Sequence, residues 1–325
     1  MQNFRWHPDL IESFLYKAKR RTIKLIYRFI HFGFLVTFFD YLYEITRINI
    51  INEKKHKIIV SWILNKYHCF ISDFTKNNNL NLQQQNKIPK YIWICWWDGM
   101  DMMPPLVKAC YNSVLTYAKD FNVILITKDN YNDYTSIPVH ILEKIDTKKL
   151  TLTHFSDILR TALLYTHGGL WLDATFLVTE PVNLGDHFFF TIRKDNYGLR
   201  HIAKGRWQGN CIAGVPNFFY FKFVFDLLCE YWKEYDYLLT YHIYDYFINL
   251  AYDSFPEVKS AFDSINKTNK NDIIVNNLNN KFDQNIFNEA IDNTVFHKLN
   301  WKKKCSIKTY DDILTFYGYI LNTYL

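Results

Sequence analysis

The chain has no closely spaced cysteines. Cys69, Cys95, Cys110, Cys211, Cys229 and Cys305 are scattered over 325 residues, with no C-x-x-C pair and no Cys/His cluster at zinc-finger spacing. This predicts reduced, mostly buried thiols and argues against a zinc module. A long apolar run is also missing: the longest uncharged stretch between residues 17 and 51, Phe29 to Phe39, is far short of the roughly 20 residues that a membrane-spanning helix needs. At the start of the chain, Arg5, Asp9 and Glu12 interrupt the place where a secretory signal needs its apolar core, and no small-residue cleavage site follows. The expectation is a cytoplasmic chain. There is no internal repeat. No compact Lys/Arg stripe interleaved with aromatics runs through the later part of the sequence, which weighs against a nucleic-acid-binding protein.

Aromatic residues, by contrast, are abundant: they make up 18% of the chain, with 24 Tyr and 27 Phe. That share suits sugar or base platforms, a membrane-facing surface, or both. The net charge of +6 biases the chain toward anionic partners such as nucleotide diphosphates, acidic lipids or nucleic acid. With 49% hydrophobic residues it can bury one large core, or a core with an appendage.

From Lys17 to Ile51, basic side chains alternate with Phe, Tyr and Ile. Two readings stay open: an interfacial basic-aromatic helix that touches anionic membrane, or a helix packed on the rest of the chain. Lys76 to Lys87, KNNNLNLQQQNK, is polar and without apolar period, and reads as a linker or exposed loop with a boundary near residue 86. Tyr91 to Trp97 reads as a buried strand. Pro104 and Pro105 open a helix through about Tyr117, and Val123 to Thr127 supplies a second strand. Such alternation predicts an α/β domain with a parallel sheet.

Thr153 is a plausible N-cap for a helix to about Thr166, closed by Gly168 and Gly169, and the strand Leu170 to Val178 follows. In the helix, Asp157 and Arg160 share a face, either as a surface ion pair or as part of a site. Strand alternation turns Trp171, Asp173 and Thr175 to one side. An aspartate closing an apolar strand is costly unless it is paired, hydrogen-bonded, or bound to a cation or polar ligand.

The run S-D-I-L-R-x-x-L-L-Y-x-x-G-G-L-W-L-D-A-T, Ser156 to Thr175, resembles the hallmark of the capsular polysaccharide synthesis glycosyltransferases, relatives of the DXD-containing sugar transferases. Ile88 to Trp93, Cys95-Trp96 and Pro104 to Val107 resemble that family's opening strand and first helix. The resemblance covers roughly residues 86 to 302. It implies a GT-A-like α/β nucleotide-binding domain with a central, mostly parallel sheet, here at 86–302. A helical region at 1–85 would precede it and a helical tail at 303–325 would follow.

The resemblance further implies a hexosyltransferase-type glycosyltransferase of surface (capsular) polysaccharide synthesis. It would move a sugar, with retention, from a nucleotide-diphosphate donor to a saccharide or lipid-linked saccharide acceptor, with Mn²⁺ or Mg²⁺. Its place would be the cytoplasm, peripheral on the inner face of the plasma membrane. Asp157 and Arg160 would contact donor hydroxyls, and Asp173 would stand first in the D-x-D as metal and diphosphate residue. Thr175 takes the place of the second aspartate, which puts direct metal ligation in question. Ser156, Gly169 and Trp171, in the same motif, belong to the donor-binding set. Trp96, at the end of the first strand, would stack on the base, or Trp93 or Trp97 would instead.

Weaker candidates lie downstream: the stretch Trp207, Gln208, Asn210 and Ala213-Gly214; His242 with Asp245; and His297, Lys298 and Lys302, where a basic residue would neutralise the leaving diphosphate and His297 would be a further metal ligand. Other classes compatible with the sequence are a sugar-phosphate transferase, a degenerate nucleotide-sugar binder, and a non-catalytic anionic-lipid or nucleic-acid binder.

Overall fold

A computed structural model describes residues 8–80 (backbone only at 8–18 and 20), 87–194, 198, 200–267 and 270–325. Three helices come first: α1 (Pro8–Phe32), α2 (Phe34–Thr46) and α3 (Asn49–Asn77). The polar run expected as a linker is helical at Lys76 and Asn77, and its residues 81–86 lie outside the described residues. Next come β1 (Tyr91–Cys95), α4 (Pro105–Tyr117), β2 (Asn122–Ile126), α5 (Val139–Asp146) and α6 (Leu152–His167), then β3 (Gly169–Leu172), β4 (Phe176–Val178), β5 (Phe189–Thr191) and β6 (Cys211–Gly214). The chain closes with α7 (Phe219–Glu234), α8 (Ile243–Ser254), α9 (Pro256–Asp263), α10 (Ile273–Asn277), α11 (Gln284–Asn293), β7 (Phe296–Lys298) and α12 (Phe316–Tyr324).

The main sheet has the order β2-β1-β3-β6-β5. β2, β1 and β3 pair in parallel, and β6 runs antiparallel to both β3 and β5. Four strands therefore share one direction, which is the mostly parallel sheet the alternation predicts. Period-two alternation separates the two cores. Trp93, Trp171, Ile212 and Phe189 face the cluster built by α3, α6, α7 and α8, while Ile92, Ile94, Leu170, Leu172 and Ala213 face the cluster under α4.

β1 leads outward to β2, yet β3 returns to the other side of β1. The strand order reverses there, and ligands of open α/β sheets bind beyond the carboxyl ends of strands at such a point. The side chain of Thr151, not Thr153, caps α6 by accepting from the His154 N–H, so the helix starts earlier than its sequence suggests. Its end is as expected: Gly168 and Gly169 both have positive φ, 65° and 97°. A Cβ on Gly169 would also stand 2.7 Å from the Tyr91 carbonyl oxygen of the neighbouring strand.

Two expectations fail in the backbone. The strand Leu170 to Val178 is two strands in two sheets, because β6 begins opposite Leu172 and the ladder has no partner beyond it. The Asp173 N–H turns to the Asn210 carbonyl, and the Phe176 N–H closes a turn on the Asp173 carbonyl. β4 then pairs with β7. The tail 303–325 is helical only in α12; ahead of it the chain makes turns and the isolated bridges Lys281–Thr315 and Lys308–Leu314.

The N-terminal helices are built into the molecule. Phe32, Val36, Ile59, Ile63, Tyr67 and Phe74 lie in one continuous buried cluster with Phe155, Leu159 and Trp171.

Candidate active site

The break after β3 creates the site. Asp173 is the first residue past the strand, and three separate elements are folded toward it. Antiparallel β6 brings the segment leading into it, Gln208 to Asn210, to the edge where β3 ends. The β4–β7 ladder pairs Phe176 with Lys298 and so delivers the lysine from far along the chain. α6 contributes Ser156, Asp157 and Arg160, which line the cleft from one face of the helix. Together they line a cleft of about 460 Å³.

Arg160 organises the set. It is 4% exposed, and one terminal nitrogen stands 3.2 Å from both Asp157 Oδ1 and Asp173 Oδ1. The other donates to the Gly209 carbonyl, and the Tyr244 and Trp171 rings flank the guanidinium at 4.9 and 5.2 Å. A Cβ on Gly209 would collide with the Tyr244 ring, so this close backbone approach requires glycine. Asp173 accepts from the Trp171 indole N–H at 3.0 Å and from Lys298 Nζ at 2.7 Å.

The two carboxylates therefore differ in chemistry. Burial dominates at Asp157 and pushes its pKa up to about 7; Arg160 opposes this, while Asp173 and Asp245 add to it. Burial also opposes ionisation of Asp173, but there Lys298 and Arg160 outweigh it and hold the carboxyl below its ordinary value. The same two carboxylates outweigh desolvation at Arg160 and raise its pKa, so it stays charged. Near neutral pH one acid is ionised and the other is poised between its two states.

Several expected residues are not brought in. Trp93 is buried in the core, and its indole donates to the Gly168 carbonyl at 2.8 Å, pinning the helix-to-strand turn, so it is not a base platform. Trp97 packs on Tyr131 and Phe155, and half-buried Trp96 meets Trp301 edge-on at 5.8 Å; neither lines the cleft. Gly169 serves the turn. Trp171 is buried beneath the site, with its ring against the Arg160 guanidinium and its N–H on Asp173.

Thr175 is 9% exposed and outside the cleft, since the turn at 173–175 breaks the alternation that would have aligned it with Asp173. His297 is fully buried on β7, its Nε2 3.0 Å from the Thr179 hydroxyl, and burial lowers its pKa to about 4. Strand alternation turns it away from Lys298. Neither residue is placed as a metal ligand.

Among the described residues no three His, Cys, Asp or Glu side chains gather to hold a metal ion. Asp173 alone fits, and only for an ion shared with a ligand's phosphates, the way Mg²⁺ is often held by one or two carboxylates plus substrate oxygens.

Of the downstream candidates, Trp207, Gln208, Asn210, His242, Asp245 and Lys298 line the cleft. Ala213 and Gly214 are buried within β6, and Lys302 is exposed beside Trp301. Sequence reasoning gave no role to Tyr244, Lys194 or Asn271, which also line it. Asn271 donates to the Gln208 side chain at 3.0 Å from a polar stretch whose pattern carries no signal.

No curated protein matches the sequence. Among solved structures, one described as "PaToxG Glycosyltransferase" is similar over 64% of this chain and 83% of its own, at 15% identity and a TM-score of 0.42, too distant to argue from. The family described as "Capsular polysaccharide synthesis protein" matches residues 40–320, from within α2 to within α12, which takes in the whole sheet and every residue of the cleft; the chain belongs to that family.

Proposed function

We propose that this protein is a glycosyltransferase of capsular polysaccharide synthesis, with a GT-A-like sheet, that moves a sugar from a nucleotide-diphosphate donor to a saccharide acceptor. The observation that carries the reading is the Asp157–Arg160–Asp173–Lys298 constellation, four ionic side chains from three elements converging in a polar cleft at the carboxyl edge of the sheet. Glycosyl transfer breaks the bond between the anomeric carbon and a diphosphate oxygen, so the site must chiefly stabilise negative charge on the leaving group. Lys298, held at the cleft by Asp173, is the cation suited to that task. Arg160 is a positioning residue: its donors are committed to two carboxylates and a carbonyl, and it fixes their spacing.

Asp157, with a pKa near 7, can bind a donor or acceptor hydroxyl in either protonation state and can accept a proton from it. Ser156, beside it on α6, adds a hydroxyl to the donor side. A divalent ion, Mn²⁺ or Mg²⁺, enters the proposal in a limited form: Asp173 would hold it jointly with the donor diphosphate, and the ion would add charge neutralisation there. Retention of anomeric configuration belongs to the same reading and is checked by proton NMR of the product.

We also place the protein at the inner membrane surface. Among the described residues no helix is long and apolar enough to cross a membrane. Yet α1 and α2 expose many large apolar side chains, including Ile26, Phe29, Ile30 (68%), Phe34 (58%), Leu35 and Ile45, and α1 also exposes Lys19, Arg21 and Lys24. Exposed apolar surface of this kind marks an interaction site, and the basic residues of the same helix match anionic lipid.

The test is a screen of UDP-, GDP- and CMP-sugars by thermal shift and donor hydrolysis, with and without Mn²⁺. One nucleotide-diphosphate sugar should both stabilise the protein and be consumed. If none does either, the transferase reading is wrong.

A further inference from the structure

A second cavity, about 210 Å³, lies between the N-terminal helices and the segment that leads into α8. Five cationic side chains line it: Lys24 and Arg28 on α1, Arg47 at the α2–α3 turn, Lys55 on α3, and Arg200. Against them stand two carboxylates, Asp40 and Glu44. Asp40 is shared, 2.8 Å from Arg28 and 3.7 Å from Lys55, and Glu44 is 3.6 Å from Arg21. Among the described residues, Arg47 and Arg200 have no carboxylate partner.

The cations are also buried where burial is costly. Arg28 and Lys55 are 6% and 8% exposed. Desolvation lowers the Lys55 pKa, Asp40 resists this, and Arg28 and Arg47 lower it further. Arg28 Nε and His56 Nε2 are buried without a hydrogen-bond partner among the described residues. Gathering like charges around one shared carboxylate costs stability that packing alone does not require. An anionic ligand would repay that cost through charge-assisted hydrogen bonds.

Two features say what kind of anion fits. The exposed apolar side chains of α1 and α2 lie on the sides of these helices turned away from the cavity, so a ligand that uses both must carry an apolar chain long enough to pass around a helix roughly 10 Å across. The cavity also shares His201, Tyr241 and His242 with the 460 Å³ cleft, so whatever extends past the anion meets the mouth of the active site. We propose that this cavity is a second anion site, for the phosphate of a lipid whose chain lies along α1 and α2 and whose head points toward the cleft. The use of the site rests on the transferase reading, but its occupancy does not.

Binding separates the two. Full-length protein is titrated with farnesyl phosphate, farnesol and inorganic phosphate by equilibrium dialysis, in wild type, in Arg47→Gln/Arg200→Gln and in Lys298→Met. The arginines are exposed, so circular dichroism should report a native fold in the double variant. Farnesyl phosphate should bind the double variant at least about tenfold more weakly than wild type, and Lys298→Met within about twofold. Farnesol and inorganic phosphate should each bind wild type at least about tenfold more weakly than farnesyl phosphate does. Unchanged binding in the double variant overturns the site, as does a loss confined to Lys298→Met, which would put the phosphate in the donor cleft. Equal affinity for inorganic phosphate overturns the lipid source, and equal affinity for farnesol overturns the phosphate. None of these outcomes depends on turnover.

Discussion

At the scale of single residues, the two aspartates around Arg160 make opposite predictions. Asp173 carries the charge that holds Lys298 at the cleft. Asp173→Asn should therefore cut transfer by about 10²-fold or more, the usual scale for losing a preorganised electrostatic partner, with native circular dichroism. Thr175→Ala should change kcat less than about twofold, because Thr175 is buried outside the cleft; a loss as large as that of Asp173→Asn in a steady-state assay would show that its hydroxyl reaches the site.

Asp157 predicts a pH dependence. Its folded pKa, about 7, lies above the ordinary aspartate value of 3.8, so the native state binds more protons at this group than the unfolded chain between these values. Relative to Asp157→Asn, wild-type stability should fall as pH rises from about 4 to 7, by at most about 4 kcal/mol, and level off above, while buried His56 and His297, whose pKa values are lowered, tilt both proteins the other way. Asp173, with its folded pKa lowered, acts the other way: its stabilisation is present above the ordinary aspartate pKa and is lost only on stronger acidification. Melting curves of wild type and Asp157→Asn from pH 4.5 to 7.5 check this. The stability difference between the two proteins should change steadily across this range, and a difference that stays constant with pH assigns the titration elsewhere.

At the scale of elements, the site depends on where strands stop. α6, the double-glycine turn and β3 could be read along the chain, because helix capping, positive φ and apolar alternation are local signals. The break after Leu172 could not, since it reflects which strand lies alongside, and β6 comes about forty residues later in a stretch whose direction the sequence does not state. The approach of the 208–210 segment to Arg160 gives a further prediction. In Gly209→Ala the new methyl meets the Tyr244 ring, so Tyr244 or Arg160 must shift. Donor hydrolysis should fall at least about tenfold, and thermal stability by roughly 1–3 kcal/mol, the cost of overpacking a filled site. Normal activity and melting temperature together would mean that Tyr244 moves freely and does not clamp the guanidinium.

At the scale of the whole molecule, the N-terminal helices have two surfaces with different consequences. One is core: Ile59, Ile63, Tyr67 and Phe74 are buried together with residues behind the sheet. A chain starting after residue 86 should therefore be insoluble or lack a cooperative melt, and cannot test membrane attachment by itself. The other surface faces outward, so Phe29→Ser/Ile30→Ser/Phe34→Ser in the full chain is the informative variant. It should fold, keep donor hydrolysis, and lose most flotation with vesicles containing anionic phospholipid, as raised salt should also weaken it. Flotation equal to wild type would remove α1 and α2 from the membrane contact.

By itself, the sequence determined what is set by neighbours along the chain. The α/β alternation, the pairing of Asp157 with Arg160 on one helical face, and the position of Asp173 at a strand end follow from periods of 3.6 and 2 and from the cost of an unpaired charge. Tertiary structure decided what depends on contacts between distant segments. It chose Lys298, through the β4–β7 ladder, as the partner of Asp173, and turned Trp93, Thr175 and His297 into the core. It also gathered five cations from two helices, the turn between α2 and α3 and a distant segment around one small cavity. Nothing in a local pattern encodes such meetings, because they are fixed only when strand register and helix packing bring remote residues within a few ångströms of each other.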